Sequence, residues 1–192
     1  MLQDSCQRYQ HRAAVIDGDT TLSYAELGIA VEQCANAIAN SGVTAGDPVC
    51  IWAPNSRQWI VCAFACWNLG AVVVPISSRL KAREVGPVLQ RSGARLLFSV
   101  SNCGGIDLPE LLGAHYGRHE ERPLGEVVTL EQVVCFDQPS SLACCSSYVG
   151  FLETGGSAEQ ASAPASGDRL AEILYTSGTT GEPKGVMVNQ QQ

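Results

Sequence analysis

The sequence predicts an α/β fold, with a mainly parallel sheet that is covered by helices on both faces. Short apolar runs that suit strands, at 49–53, 71–74 and 94–100, alternate with segments that have helical spacing. Strands that alternate with helices form right-handed βαβ crossovers, which cover a parallel sheet on both sides. A content of 45% hydrophobic and 16% charged residues is typical of a globular domain.

The first elements are a hairpin and a capped helix. The letters DGD at 17–19 separate two short apolar runs and predict a tight turn. Ser23 and Glu26 have the spacing of a capping box, which predicts a helix that opens at Ser23. We expect Gly42 to end it. The predicted buried face consists of apolar residues at helical spacing: Leu27, Val31, Cys34, Ala35 and Ile38.

The following helices are predicted from residues that start and stop them. The letters PNS at 54–56 cap a helix over 57–69, which Gly70 ends. The β-branched strand at 71–74 is expected to halt at Pro75, because proline donates no hydrogen bond to a sheet.

Later elements are less regular. A helix over 81–91 should be bent or split at Gly86-Pro87. Short helices are predicted at 108–112 and 130–134. Residues 153–168 are rich in Gly, Ala, Ser and Pro, which predicts a flexible, solvated connecting loop.

Composition excludes several classes of protein. A net charge of −7 argues against a nucleic-acid partner, which needs clustered Lys and Arg. Nine cysteines, an odd number without a CxxC motif, predict reduced thiols in a cytoplasmic protein. The apolar stretch 59–76 is interrupted by an asparagine, a glycine and a proline, so no transmembrane segment is predicted. Cys62 and Cys66 lack a second pair of ligands, so no metal site is assigned.

The chemistry is predicted to lie in TSGTTGEPKG at 176–185, directly after an apolar run at 170–175 that suits a buried strand. Glycines let the backbone turn tightly and point its N–H groups at an anion. The hydroxyl groups add neutral donors, and the lysine adds a positive charge. These features predict a polyphosphate-binding loop. The assigned residues are Thr176, Ser177, Gly178, Thr179, Thr180, Gly181 and Lys184.

Two other interpretations of this segment are possible. The first is an ordinary Gly-rich surface loop. Two features argue against it: the strand that precedes the loop, and the lysine three residues after Gly181. The second is a Walker-type P-loop, which requires GxxxxGK followed by Ser or Thr. Glu182-Pro183 separates Gly181 from Lys184, and Gly185 follows the lysine, so the Walker spacing is not met.

Residues 175–186, YTSGTTGEPKGV, resemble the signature loop of the class I adenylate-forming superfamily, which includes acyl-CoA synthetases, aryl-CoA ligases, luciferases and the adenylation domains of peptide synthetases. LSYAEL at 22–27, APNS at 53–56 and LGAVVVPIS at 69–77 resemble its N-terminal landmarks in the same order. The acyl-CoA synthetase branch is the most similar. In two places the chain departs from the pattern: Ser77 stands where relatives more often carry Asn, and no Ser/Thr-His helix follows the loop.

The resemblance implies that residues 1–192 are a partial N-terminal AMP-binding domain, the incomplete first part of the large domain of an adenylate-forming enzyme. The flexible loop at 153–168 would precede the phosphate-binding loop at 175–186. The family motifs for adenine, for the Mg²⁺-binding acid and for the C-terminal catalytic lysine do not occur in these residues. No catalytic residue is therefore assigned, and the isolated 192-residue chain is expected to be inactive.

The implied reaction has two steps. A carboxylic acid, fatty or related, reacts with ATP to give an acyl-adenylate and pyrophosphate, and coenzyme A then displaces AMP to give a thioester. Mg²⁺ would accompany ATP. Two alternatives remain: a non-catalytic ATP- or pyrophosphate-binding module, and a scaffold remnant that has lost its ligand.

Overall fold

The chain forms three layers, with helices on both faces of a central sheet. The computed structural model describes residues 2–127, 129–156, 168–176 and 183–191. The elements in this part of the chain are α1 (Leu2–Arg8), β1 (Ala13–Asp17), β2 (Thr20–Ser23), α2 (Tyr24–Asn40), β3 (Pro48–Trp52), α3 (Arg57–Leu69), β4 (Val72–Ile76), α4 (Ala82–Ser92), β5 (Leu96–Ser99), α5 (Leu108–Tyr116), β6 (Gln132–Cys135), β7 (Cys145–Ser147), α6 (Tyr148–Glu153), β8 (Leu170–Thr176) and β9 (Lys184–Asn189).

Seven of the strands form one sheet in the order β7-β6-β5-β3-β4-β8-β9. Neighbouring strands are parallel, except that β8 and β9 pair antiparallel. β1 and β2 form the predicted hairpin, separate from the large sheet. The predicted α/β class with a mainly parallel sheet is therefore confirmed.

Successive residues of the central strands belong to two different cores. In β3, Val49 and Ile51 pack beneath α2, α3 and α6, whereas Cys50 and Trp52 pack beneath α4 and α5. Side chains alternate between the two faces of a strand, so a strand that is covered on both faces reads as a continuous apolar run.

The predicted capping signals are confirmed. Ser23 Oγ accepts the Glu26 N–H at 3.3 Å, and the Glu26 carboxylate accepts the Ser23 N–H at 2.7 Å. At the start of α3, Ser56 Oγ accepts the Trp59 N–H at 3.2 Å. Gly70 ends α3 with φ 76°, a left-handed conformation that favours a residue without Cβ.

The prediction of a helix at 130–134 is wrong, because strand β6 begins within this stretch, at Gln132. β6 lies between β5 and β7, and its Val133 and Val134 are fully buried in opposite cores. A short apolar run does not distinguish a helix from a buried strand, and here the β-branched pair fits the sheet.

The sequence predicts that β4 halts at Pro75. In the structure the strand continues through the proline to Ile76. Its parallel pairing with β3 runs to the end of both strands, where Trp52 is opposite Ile76. Pairing with β8 occurs at Val73, two residues before the proline. The missing N–H of Pro75 is tolerated because the β8 side of the strand has no ladder partner at that point.

The Gly86-Pro87 pair neither splits α4 nor ends it, and the helix is continuous around both residues. A Cβ on Gly86 would overlap the ring of Tyr116 from α5. Pro87 cannot donate to the carbonyl of Arg83 one turn earlier, and the Tyr116 hydroxyl donates to that carbonyl instead, at 3.2 Å. The pair therefore makes room for Tyr116 and leaves an acceptor for it.

Only part of the predicted connecting loop at 153–168 is described. Glu153 is the last residue of α6. Asn40 of α2 donates to the Thr154 carbonyl at 2.6 Å, and a Cβ on Gly155 would lie 2.8 Å from a backbone nitrogen of α2. The loop thus begins against α2. Residues 157–167 lie outside the described residues, and their flexibility stays a prediction.

Candidate functional site

The predicted phosphate-binding loop leaves the sheet at the carboxyl edge of the parallel strands. Val73 of β4 pairs with Glu172 of β8, and the same register, continued along both strands, brings Tyr175 level with Ile76. Thr176, the last residue of β8, therefore lies at this edge. Parallel α/β sheets bind their ligands there, because loops from neighbouring strands meet outside the carboxyl ends.

Thr176 and Lys184 bracket the loop and are cross-strand partners in the β8–β9 ladder. Directly opposed residues have Cβ atoms about 5 Å apart, so the hydroxyl and the ammonium group can contact the same ligand. Both residues are exposed. The other residues assigned from sequence lie outside the described residues: Ser177, Gly178, Thr179, Thr180 and Gly181.

β8 is less buried than its sequence predicted. Ala171 is its one buried residue, and Leu174 is 41% exposed. On the neighbouring edge strand β9, Val186 and Met187 are exposed as well, by 51% and 70%. The apolar run at 170–175 therefore reflects a strand whose faces the described residues cover only in part.

Gly185 has a packing role that its place in a glycine-rich motif did not indicate. It lies opposite Tyr175 in the ladder. A Cβ at this position would be 2.8 Å from Ile173 Cγ2 and 3.4 Å from Tyr175 Cζ. The side chains of β8 thus lie across the backbone of β9, which only glycine permits at this distance.

Two helices hold the β8–β9 hairpin through side chains that sequence reasoning missed. Trp67 Nε1, from α3, donates to the Ala171 carbonyl at 2.9 Å. Arg91 Nη1, near the end of α4, donates to the Pro183 carbonyl at 2.7 Å. No local signal could have found these contacts, because the partners are 104 and 92 residues apart in the chain.

The neighbouring end of β4 is fixed by Trp52, whose side chain is fully buried. Its Nε1 donates to the Ser77 carbonyl at 3.1 Å, and its own carbonyl accepts the Ser99 hydroxyl at 2.9 Å. Ser77 Oγ accepts the N–H of Arg79 at 3.3 Å. The Ser77 hydroxyl is therefore used within its own turn.

Burial changes the pKa of two groups on β8. Partial desolvation raises the pKa of the Glu172 carboxyl. It also raises the pKa of the Tyr175 hydroxyl, while the positive charge of Arg91 acts in the opposite direction. Arg91, whose guanidinium donates to the Pro183 carbonyl, lies beside the end of the loop. Together, Arg91 and Lys184 place two positive charges at the base of the loop in an acidic protein.

A cavity lies at the end of the sheet where the parallel strands begin, opposite the end where the proposed loop leaves. It is lined by residues at the amino ends of β5, β6 and β7, including Arg95, Glu131 and Cys145. The Arg95 guanidinium is paired with the Glu131 carboxylate at 2.6 Å, so its charge is already balanced. We do not assign phosphate binding to this cavity.

Among the described residues we find neither a candidate metal site nor a helix that could span a membrane. In that part of the chain no three His, Cys, Asp or Glu side chains converge as metal ligands. None of the helices described is long and apolar enough to cross a membrane.

Comparison with known proteins identifies the family. The family model of AMP-binding enzymes matches residues 2–192. The chain belongs to this family. Among curated relatives of the chain, a 3-[(3aS,4S,7aS)-7a-methyl-1,5-dioxo-octahydro-1H-inden-4-yl]propanoyl:CoA ligase of Mycobacterium tuberculosis is 34% identical over 93% of this chain and 34% of its own length. A feruloyl-CoA synthase of an Amycolatopsis species is 33% identical over 93% of this chain and 30% of its own length.

Solved structures agree on the fold of this AMP-binding family member. The anthranilate CoA ligase AuaEII, in complex with anthranoyl-AMP, superposes with a TM-score of 0.82 at 22% identity, over 99% of this chain and 34% of its own. The chain thus spans about a third of the length of the relatives it matches.

Proposed function

We propose that this chain forms part of an ATP-dependent acyl-CoA synthetase, an acid–thiol ligase, and that the loop between β8 and β9 binds the β- and γ-phosphates of ATP. The observation that carries the proposal is the pairing of Thr176 with Lys184 at the carboxyl edge of the sheet. The named curated relatives are CoA ligases or synthases, which supports coenzyme A as the thiol.

The proposed reaction activates a poor acyl donor. A carboxylate oxygen attacks the α-phosphorus of ATP, the bond to the bridging oxygen breaks, and pyrophosphate leaves with the electron pair. The thiolate of coenzyme A then attacks the acyl carbonyl and displaces AMP. Negative charge builds on the pyrophosphate as it leaves, so donors on the β- and γ-phosphates stabilise the transition state more than the ground state.

In this proposal the chain contributes phosphate binding and no proton transfer. Lys184 supplies the positive charge and Thr176 a hydroxyl donor, together with the proposed loop donors Ser177, Gly178, Thr179, Thr180 and Gly181. Mg²⁺ would add charge to the triphosphate when bound. The described residues contain no cluster of acidic ligands for it, so no step is assigned to the metal here. The acid is a fatty or related acid, and the compartment is the cytoplasm.

The first test uses the two lysines of the chain, Lys81 and Lys184. Lys81 is exposed at the start of α4, and it serves as the matched control. We expect ATP or inorganic pyrophosphate to protect Lys184, and not Lys81, from acetylation by an amine-reactive reagent. Mass spectrometry of the two peptides measures the protection. Equal labelling of both lysines with and without the ligand would overturn the assignment.

The second test is kinetic, on the protein as its gene encodes it. Lys184→Ala should slow carboxylate-dependent exchange of labelled pyrophosphate into ATP by roughly 10–1000-fold, the scale of losing one charge-stabilising donor. Lys81→Ala should leave the rate unchanged. If ATP protects Lys184 from acetylation but no acid supports pyrophosphate exchange, the non-catalytic binding module is favoured. If neither protection nor exchange is measured, the scaffold remnant is favoured.

A further inference from the structure

Arg91, in the last turn of α4, contacts the end of the proposed phosphate-binding loop. Arg91 lies one residue before the end of the helix, and its Nη1 donates to the Pro183 carbonyl at 2.7 Å. Pro183 is bonded directly to Lys184. A hydrogen bond from a charged guanidinium is stronger than one between neutral groups, and its planar fork restricts direction. This contact therefore fixes the backbone at the residue that precedes the lysine.

The contact completes a set of restraints around Lys184. On one side, Lys184 is paired with Thr176 across the ladder. After it comes Gly185, whose backbone lies so close to Ile173 and Tyr175 that a Cβ would not fit. Before it comes the carbonyl that Arg91 holds. The backbone of Lys184 is thus restrained on three sides, although its side chain is exposed.

We propose that Arg91 is a positioning residue, which holds the Pro183 carbonyl so that Lys184 enters β9 opposite Thr176 and meets the phosphates of the ligand. The proposal rests on the proposed role of Lys184 in phosphate binding. A flexible lysine stem restricts the ammonium group poorly, so its position depends on the backbone that carries it. A displacement of about 1 Å in such a group can cost roughly a hundredfold in rate.

The geometry also distinguishes this role from a purely structural one. Arg91 is exposed, and its contact with Pro183 joins two surface segments instead of core elements. Exposed polar contacts add little to the free energy of unfolding. Removing Arg91 should therefore change the function of the loop far more than the stability of the fold.

The test is a double-mutant cycle on the protein as its gene encodes it, read by pyrophosphate exchange. Arg91→Ala should lower kcat/KM for ATP by roughly 10-fold, the lower end of the effect of losing a hydrogen bond from a charged donor. Arg91→Lys, which keeps a charged donor, should recover part of this loss. In the Lys184→Ala background, Arg91→Ala should change kcat/KM by less than about 2-fold, because residues that act as a unit are not additive.

Arg83→Ala is the matched control, since Arg83 is an exposed arginine in the first turn of the same helix. It should match the wild type in kcat/KM and in melting temperature. The acetylation assay gives a readout without turnover: Arg91→Ala should weaken the protection of Lys184 by inorganic pyrophosphate, and Arg83→Ala should not.

The outcomes separate the two proposals. If Lys184→Ala slows exchange while Arg91→Ala behaves like Arg83→Ala, the positioning role is overturned and the proposed function stands. If the effects of Arg91→Ala and Lys184→Ala simply multiply, Arg91 does not act through the lysine, and the proposal is again overturned. If Lys184→Ala has no effect, or the wild type neither exchanges pyrophosphate nor protects Lys184, the proposed function fails first and the inference with it.

Discussion

Two glutamates show how the surroundings of one carboxyl group set the sign of its contribution to stability. Partial burial on β8 raises the pKa of Glu172 from its ordinary value of 4.5. Two hydrogen bonds from Ser23 lower the pKa of the Glu26 carboxyl. The one from the backbone N–H has the larger effect, and the one from the hydroxyl has the smaller effect. A raised carboxyl pKa means that the folded state holds its proton more tightly than the unfolded state. Stability is then lost as pH rises through the window that begins at 4.5.

Glu172→Gln should therefore stabilise the protein at pH 7, because the amide avoids the cost of a partly desolvated charge. The gain should fade as pH falls below about 4.5, where wild-type Glu172 is protonated in both states. Denaturant unfolding at pH 4 and pH 7 measures it.

Glu26→Gln is the matched comparison of opposite sign, since a lowered pKa contributes stability above 4.5 that is lost at lower pH. It should destabilise the protein at pH 7. A Glu172→Gln variant that is no more stable than the wild type at pH 7 would contradict the effect of burial on this carboxyl.

At the scale of elements, α4 shows why two helix-breaking residues can stand inside a helix. Gly86 admits the ring of Tyr116, and Pro87 leaves the Arg83 carbonyl to the Tyr116 hydroxyl. The α4–α5 contact is therefore built on a close approach that any side chain at Gly86 would prevent.

Gly86→Ala should destabilise the protein by about 1–3 kcal/mol, the usual cost of overpacking, although alanine favours helices. Urea unfolding gives the free energy. Gly28→Ala in α2 is a control at a helical glycine, where the nearest atom to a new Cβ is the side-chain Sγ of Cys6 at 3.2 Å. That variant should be neutral or slightly more stable. Equal effects at the two glycines would refute a specific clash with Tyr116.

What the sequence predicted well is what neighbouring residues decide. The caps at Ser23, Ser56 and Gly70 are formed within a few residues of the chain, and they fix α2 and α3. The strand character of β6 is not evident from its local sequence, because the strand it pairs with, β5, begins 36 residues earlier, at Leu96. The same distinction holds for the candidate site. Its glycine-rich motif is contiguous and can be predicted from sequence, but the contact from Arg91 joins residues 92 positions apart and cannot.

At the scale of the whole molecule, the two cores and the surface give the cysteines very different environments. Five cysteines are fully buried, and Cys144 is exposed. Burial raises the pKa of the Cys50 thiol to about 12 and that of the Cys62 thiol well above 9. Alkylation requires the thiolate, so both access and ionisation protect the buried thiols.

With iodoacetamide at pH 8, Cys144 should be alkylated first in the native protein, while Cys50 and Cys62 should react only after unfolding. Mass spectrometry of the labelled peptides over time measures the order. In urea, all nine cysteines should react at similar rates, which controls for differences in detection. Native labelling of Cys62 as fast as Cys144 would contradict the packing between the sheet and α3.

The pairing of β4 with β8 has a consequence during synthesis. Val73 and Glu172 are neighbours in the sheet, yet the ribosome makes one about a hundred residues before the other. At about 5–20 residues per second, roughly 5–20 seconds pass before β8 emerges. During that time β4 is the edge strand of the nascent sheet, and its unpaired backbone groups can bind a strand of another chain. Pro75 has no N–H and therefore offers such a strand one hydrogen-bond donor fewer, which disfavours aggregation before β8 is made.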